Sequence, residues 1–224
     1  EGRKANPDWL LSFFNNPSII RPNLQVKMPS FHQISDKEWD AIIAYFKHAD
    51  GETVNYRSAH QFDIAGNKFE AGEKIHELGQ CNSCHFYGKV FPTGDAPTWA
   101  PNLALTKERL NPEWVTEWLK NPQAIMPGTK MPAPYIPDSE ILSMEGAEDD
   151  WGSALVALDG DTTDMLNGLR DYLWNIKGDV NIDALIKNYF LENGYDFDNI
   201  GSDDEYEDEE DDWGDDEEDD WGDD

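Results

Sequence analysis

The sequence predicts an all-α chain ending in an acidic tail, and three observations carry that expectation. Two stretches open with Asn-Pro, at Asn6-Pro7 and Asn111-Pro112, and set large apolar residues behind it at helical spacing. A third, Ser35-Asp36-Lys37-Glu38, is a capping box followed by Trp39, Ile42, Ile43 and Phe46 on one face. The final stretch, Asp203 to Asp224, has 17 Asp or Glu among 22 residues and no Lys or Arg. Like charges repel there, and only Tyr206, Trp213 and Trp221 are apolar, so it reads as disordered.

Each predicted helix has a local cause. Asn at the entrance caps free amides, and Pro at the first helical position has no amide to satisfy. Trp9, Phe13 and Phe14 then recur on one face of the first helix, as Trp114, Trp118 and Leu119 do on its later counterpart. Ala71 to Gln80 reads as an amphipathic helix. From about Thr163 to Trp174, Leu166, Leu169, Tyr172 and Leu173 form the apolar set of another. The stretch from 136 to 160 carries Glu148, Asp149 and Asp150 in a row and reads as a long surface loop.

These elements repeat. Asn6-Pro7-Asp8-Trp9 matches Asn111-Pro112-Glu113-Trp114, and Asn16-Pro17 matches Asn121-Pro122, both at an offset of 105. Lys27-Met28-Pro29 matches Lys130-Met131-Pro132, and Tyr45 matches Tyr172 at an offset of 127. The expected organisation is a half-domain over 1–50, a linker over 51–65 and a full domain over 66–178. A helical extension over 179–202 and the tail over 203–224 follow.

Net charge is −30, of which the tail holds 17 negative charges. No basic surface for nucleic acid is encoded. No run of 18 apolar residues marks a membrane span, and no signal peptide is visible. Membrane association would come through a partner or a removed segment.

Both cysteines lie in Cys81-Asn82-Ser83-Cys84-His85. This Cys-x-x-Cys-His pattern is that of c-type haem attachment: two thiols bond the haem vinyl groups and the imidazole reaches the iron. A thioredoxin-like pair needs a strand before its helix, and a zinc site needs further ligands. A disulfide spanning two residues would be strained. Covalent haem implies electron transfer in an extracytoplasmic setting such as the periplasm, on a chain whose export segment has been removed.

With that motif stand Ala100-Pro101-Asn102-Leu103, Asn111-Pro112-Glu113-Trp114, Pro127-Gly128-Thr129-Lys130-Met131-Pro132 and the Leu169–Trp174 stretch. In this order and spacing, residues 66–178 resemble a class I cytochrome c domain with one haem. Residues 1–50 resemble the C-terminal half of a second such domain. The resemblance implies an all-α fold around a covalent haem, with thioethers at Cys81 and Cys84. It implies His85 and Met131 as the axial iron ligands and the Pro101 carbonyl on the ring N–H of His85. Trp99, Leu103, Trp114 and Trp118 are the expected apolar wall.

Met28 holds the distal-ligand position of the first half. It would ligate a second haem if an attachment motif lies upstream, because the counterpart of His85 falls 21 residues before Glu1. Otherwise Met28 packs as core. Met126 competes with Met131; Met144 and Met165 read as plain core. His76, His32, His48 and His60 read as surface histidines.

The expected function is electron transfer within a respiratory or photosynthetic redox complex, with other redox subunits or a basic soluble electron carrier as partners. The subunit reading draws on Trp9, Phe13, Phe14, Trp39 and Phe46, which would leave an apolar patch on a bare half-domain. The alternatives are a free soluble carrier, or a haem enzyme of peroxidase-like or oxidase-linked type with an open iron position. Deleting residues 203–224 should slow reduction by a basic soluble carrier and flatten its dependence on ionic strength. Stopped-flow rates across a salt series check this, and unchanged rate and slope would refute a docking role for the tail.

Overall fold

The computed structural model describes residues 1–21, 28–51 and 62–194. Lys27, His60, the linker from 52 to 61 and the acidic tail fall outside the described residues. The chain divides into two compact units, Glu1–Ile186 and Lys187–Asp224.

The fold is all-α. The first unit contains α1 (Pro7–Asn15), α2 (Asp36–Ala49), α3 (Asn67–Leu78), α4 (Thr106–Arg109), α5 (Pro112–Lys120) and α6 (Pro122–Ile125). It continues through α7 (Ser139–Leu142), α8 (Ala147–Trp151), α9 (Ser153–Ala157) and α10 (Thr162–Asn175), and α11 (Asp183–Glu192) begins in it. Among the described residues no sheet forms, and extended pairing is confined to single bridges such as Ala5–Leu110. The described part of the second unit completes α11, whose end is closed by the Asn193 N–H returning to the Tyr189 carbonyl at 3.1 Å.

The caps form largely as the residue types require. Asn6 accepts from the Asp8 N–H at 3.1 Å and starts α1. The Glu38 carboxylate accepts from the Ser35 N–H at 2.9 Å and from its hydroxyl at 2.7 Å. Those bonds favour the charged form and lower the Glu38 pKa. Asn111 behaves differently. Its side chain does not cap α5; its amide instead donates to the Arg3 carbonyl at 2.7 Å and the Ala5 carbonyl at 3.3 Å.

The main core sits where α3 crosses α10. Gly72 of α3 meets Gly168 of α10, and a methyl group on either would collide with the opposing backbone. Around the crossing, Ala71, Ile75, Val115, Leu119, Leu155, Met165, Leu169 and Leu173 are buried together. Burying each large apolar side chain there contributes about 1.5–3 kcal/mol. Lys68 of α3 pairs with Asp164 of α10 at 2.7 Å on the rim.

The stretch from 136 to 160 is not a surface loop. It folds into α7, α8 and α9, and it sends Leu142, Ala154 and Leu155 into the main core. Each helix is only one or two turns long, and Gly146 and Gly152, with φ of +85° and +84°, turn the chain sharply between them. Such short turns give too few apolar repeats for a period to show, and the acidic run hides them further. Met144 is a second correction: expected in the core, it is 57% exposed in this segment. Met165 is buried as expected.

The first half has its own core of Ala5, Leu10, Phe14, Trp39 and Ile43, with Met28 and Phe31 packed against it. Phe14 stacks on Trp39 at 4.4 Å and Trp9 on Phe13 at 4.9 Å. Phe14 and Trp39 are thus buried, and the apolar patch expected from these aromatics is largely closed by their own packing.

The two repeats meet through equivalent residues. The Asn6 N–H donates to the Arg109 carbonyl and the Asn111 N–H to the Lys4 carbonyl, both at 2.8 Å. At the repeat offset of 105, Asn6 corresponds to Asn111 and Lys4 to Arg109, so these bonds are reciprocal. The cations follow the same rule: Lys4 lies 5.6 Å from the Trp114 ring and Arg109 lies 5.5 Å from the Trp9 ring. The contact is a local pseudo-two-fold of the kind that joins identical subunits. It is extended by the Arg3–Glu117 ion pair.

Two tests follow from buried and tethering polar groups. Asn102 is buried and holds four main-chain partners: the Gly88 and Ala104 N–H groups, and the Gly88 and Asp179 carbonyls. Asn102→Ala should cost about 2–4 kcal/mol in chemical denaturation, because those groups lose their partner. Asp50 accepts from the Arg3 N–H at 3.0 Å, which holds its carboxyl below the usual range. A depressed carboxyl contributes stability above its unfolded value of about 4 and loses it as pH falls through the folded value. Asp50→Asn should therefore show a flatter stability profile than the parent below about pH 4, read by thermal melts across pH.

Candidate haem-attachment site

The Cys-x-x-Cys-His motif follows directly on α3. Gly79 caps that helix, and Gln80 then takes a left-handed conformation, φ +47° and ψ +43°. This turns the chain away from the α3 axis into a 3₁₀ turn, Cys81–Ser83. The His85 N–H closes it on the Cys81 carbonyl at 2.9 Å. Both cysteines are free thiols and partly buried. Burial pushes the Cys81 thiol up to about 11, which leaves almost no thiolate at neutral pH and little nucleophilic or redox-exchange reactivity.

His85 is held from two sides. Its Nδ1 lies 2.7 Å from the Pro101 carbonyl oxygen. A carbonyl only accepts, so Nδ1 carries the proton and Nε2 keeps its lone pair. Burial also lowers the His85 pKa, which favours the neutral ring. The segment carrying Pro101 is fixed by main-chain bonds from Ala100 to Cys84 and from Leu103 to Phe86, each 2.8 Å. Behind them, Asn102 clips the loop at Gly88 to the Asp179 carbonyl. Asn102 entered the sequence reading only as part of a motif. Its role as a clamp is tertiary and has no local pattern.

The remaining expected residues fall into two groups. Leu103, Trp114 and Met131 pack against the main core. Trp114 stacks on Trp118 at 5.2 Å, and the Trp118 indole N–H donates to the Met131 sulfur at 2.8 Å. Trp99 lies apart from these, in a cluster with Phe86 and Phe91 at ring distances of 5.0 and 5.3 Å. Its indole N–H donates to the Gly94 carbonyl at 3.0 Å. Met126 is exposed, and Met28 belongs to the separate core of the first half.

His76 departs from its expected surface place. It is partly buried, hydrogen-bonds the Tyr87 hydroxyl, and packs on the Tyr172 ring at 4.9 Å. Burial lowers its pKa to about 4, so it is neutral at physiological pH. It follows the fully buried Ile75 on α3, where the helix turns towards α10, and a helix with few apolar residues gave no clear inner face to place it on. His32 and His48 are exposed as expected.

Among the described residues no three His, Cys, Asp or Glu side chains converge as a cation site, and no helix is long and apolar enough to cross a membrane. What the geometry offers is two free thiols on a tight turn and one imidazole nitrogen free to ligate. A thioether held by an indole N–H lies elsewhere on the same unit.

No family model matches the chain, and no solved structure matches it. Over 99 residues it is 36% identical to cytochrome c oxidase subunit 2 of Bacillus subtilis (strain 168), a stretch covering 40% of this chain and 27% of that protein. The chain thus spans about a quarter of the length of the relative it matches.

Proposed function

We propose that this chain is an extracytoplasmic electron-transfer subunit of a respiratory complex, carrying one covalent haem c at Cys81, Cys84 and His85. The observation that carries the reading is the His85 imidazole. Its Nδ1–H is committed to the Pro101 carbonyl, and its Nε2 is left to ligate a metal, directly after two free cysteines on one turn. The similarity to an oxidase subunit supports the respiratory setting.

The donor set fits a haem. The Cys81 and Cys84 thiols would hold the haem covalently, and His85 Nε2 and the Met131 sulfur would be its iron ligands. A haem so held supplies an iron that exchanges single electrons. The protein's own residues do the rest. The Pro101 carbonyl orients the imidazole and raises its donor strength. Leu103, Trp114 and Trp118 exclude water. The Trp118 N–H fixes the Met131 sulfur and draws density from it, which favours the reduced state. With His85 and Met131 both given to the iron, the group would serve electron transfer rather than bond chemistry.

Met28 packs in the core of the first half, and it would serve a second haem only if an attachment motif lies upstream. The chain itself supplies a single attachment motif, so it should carry one haem when isolated.

Met131→Ala should abolish the weak red-edge absorption of a low-spin His/Met haem and open the reduced protein to carbon monoxide, while haem content per chain stays at one. Optical spectra and a pyridine haemochrome assay check this. An unchanged spectrum would sink the Met131 assignment, and carbon monoxide binding to the unaltered protein would favour the enzyme reading.

A further inference from the structure

The join between the two repeats gathers cations without matching carboxylates. Ala5 pairs with Leu110 in a single antiparallel bridge, and the bonds that flank it make Lys4 and Arg109 diagonal neighbours across that pairing. Each side chain crosses to the other half, Lys4 to the Trp114 ring and Arg109 to the Trp9 ring. One cation from each repeat is thus held at the same junction. Arg21, which is exposed, adds a third charge that both of them feel.

Their partners do not balance them. Glu1 meets Lys4 at 3.4 Å, longer than a charge-assisted bond of about 2.7–2.9 Å. Arg3, beside Lys4 in the chain, is spent on Glu117. Among the described residues Arg109 and Arg21 make no ion pair. The Arg109 Nε is buried without an acceptor, and the terminal nitrogens of its guanidinium are open to solvent. Burial lowers the Lys4 pKa, and the charges of Arg109 and Arg21 add to that. The two indole faces offset part of the positive charge. In a chain of net charge −30, three cations sharing one carboxylate still call for a further anion.

We propose that Lys4, Arg21 and Arg109 form a binding site for an oxyanion of phosphate or carboxylate type on the join between the repeats. The local two-fold suits such a ligand, whose equivalent oxygens can take one donor from each half. Lys4 gives a compact charge with three donors, and Arg109 a planar fork matched to two oxygens. Arg21, on the exposed side, adds attraction at longer range. Glu1 is a weak competitor, because an exposed ion pair of that length is easily displaced. Two sources present this chemistry: a free phosphate-type anion, and the two carboxylates that a haem would bring with it. The site stands on the two rings and three cations alone; only the second source rests on haem at Cys81, Cys84 and His85.

The test titrates inorganic phosphate into the full chain, against chloride at equal ionic strength, with thermal melts and calorimetry as readouts. With a free anion as ligand, phosphate at about ten times its dissociation constant raises Tm by about 3–6 °C and chloride does not. Lys4→Gln then weakens binding about tenfold and Arg21→Gln about threefold. Lys4→Arg keeps it, and so does Lys89→Gln, which removes a surface cation paired with Asp179. With haem carboxylates as the occupant, phosphate leaves the loaded chain unchanged. Lys4→Gln then makes the haem midpoint potential fall between about pH 4 and 6, where the parent's is level, because a carboxyl that loses its cation titrates nearer its ordinary value. Haem content per chain, read as the pyridine haemochrome, separates a failure of the haem reading from a failure of this one. Three outcomes overturn the proposal: chloride matching phosphate, Lys4→Gln and Arg21→Gln binding phosphate no more weakly than Lys89→Gln, or a chain in which neither phosphate nor the potential responds.

Discussion

The closeness of α3 to α10 is the constraint on which the rest of the molecule depends. Two glycines face each other at the crossing, and neither tolerates a methyl group without moving backbone. Dispersion and burial are gained along the whole seam because the helices sit this near. The crossing also fixes where α3 ends. Gly79 and the left-handed Gln80 follow at once, and they deliver Cys81, Cys84 and His85 in one turn. A looser seam would let that turn drift from the Pro101 carbonyl, whose 2.7 Å contact orients the imidazole. The site is therefore positioned by a helix crossing whose glycines make no contact with it.

The same economy governs the other side of the imidazole. Pro101 sits on an irregular segment, which has no helix of its own to stiffen it. The stiffness comes from Asn102, one residue on, whose side chain is buried and bonds to main chain from Gly88, Ala104 and Asp179. A buried amide of this kind is stabilising only when each of its groups is met. Here they are, and the loop becomes as fixed as an element. The ring N–H of His85 then has one acceptor at one place, which selects its tautomer.

Much of this was legible in the sequence, and the failures have physical reasons. Helices with caps and a strong apolar face, α1, α2, α5 and α10, were visible because cap chemistry and the 3.6-residue period are local. The His85–Pro101 contact was named in advance only through a family resemblance, and the structure brings those two together. The helices between 136 and 160 were missed because each is shorter than the window in which a period shows. His76 was misplaced because its burial depends on the α3–α10 seam. Asn111 was read as a cap from its place before Pro112, but tertiary contact claimed its amide for the main chain at Arg3. Trp99 was expected in one apolar wall with Leu103, Trp114 and Trp118; its ring neighbours in the structure are Phe86 and Phe91.

The join between the repeats decides how the first half should be regarded. A half-domain left over from a duplication would be expected to drift, since nothing would hold its sequence to that of its twin. Here the two halves are bound by symmetry. Each gives the other one main-chain bond and one cation over an indole ring, at equivalent positions. Arg109 is buried enough that desolvation lowers its pKa to about 10, yet it remains charged at neutral pH. A buried cation is tolerable only with compensation, and the Trp9 ring it lies against belongs to the first half. Removing residues 1–21 would therefore strip α4 and α5 of hydrogen bonds and leave that charge without its ring. The first half is thus part of what holds α4 and α5 in place.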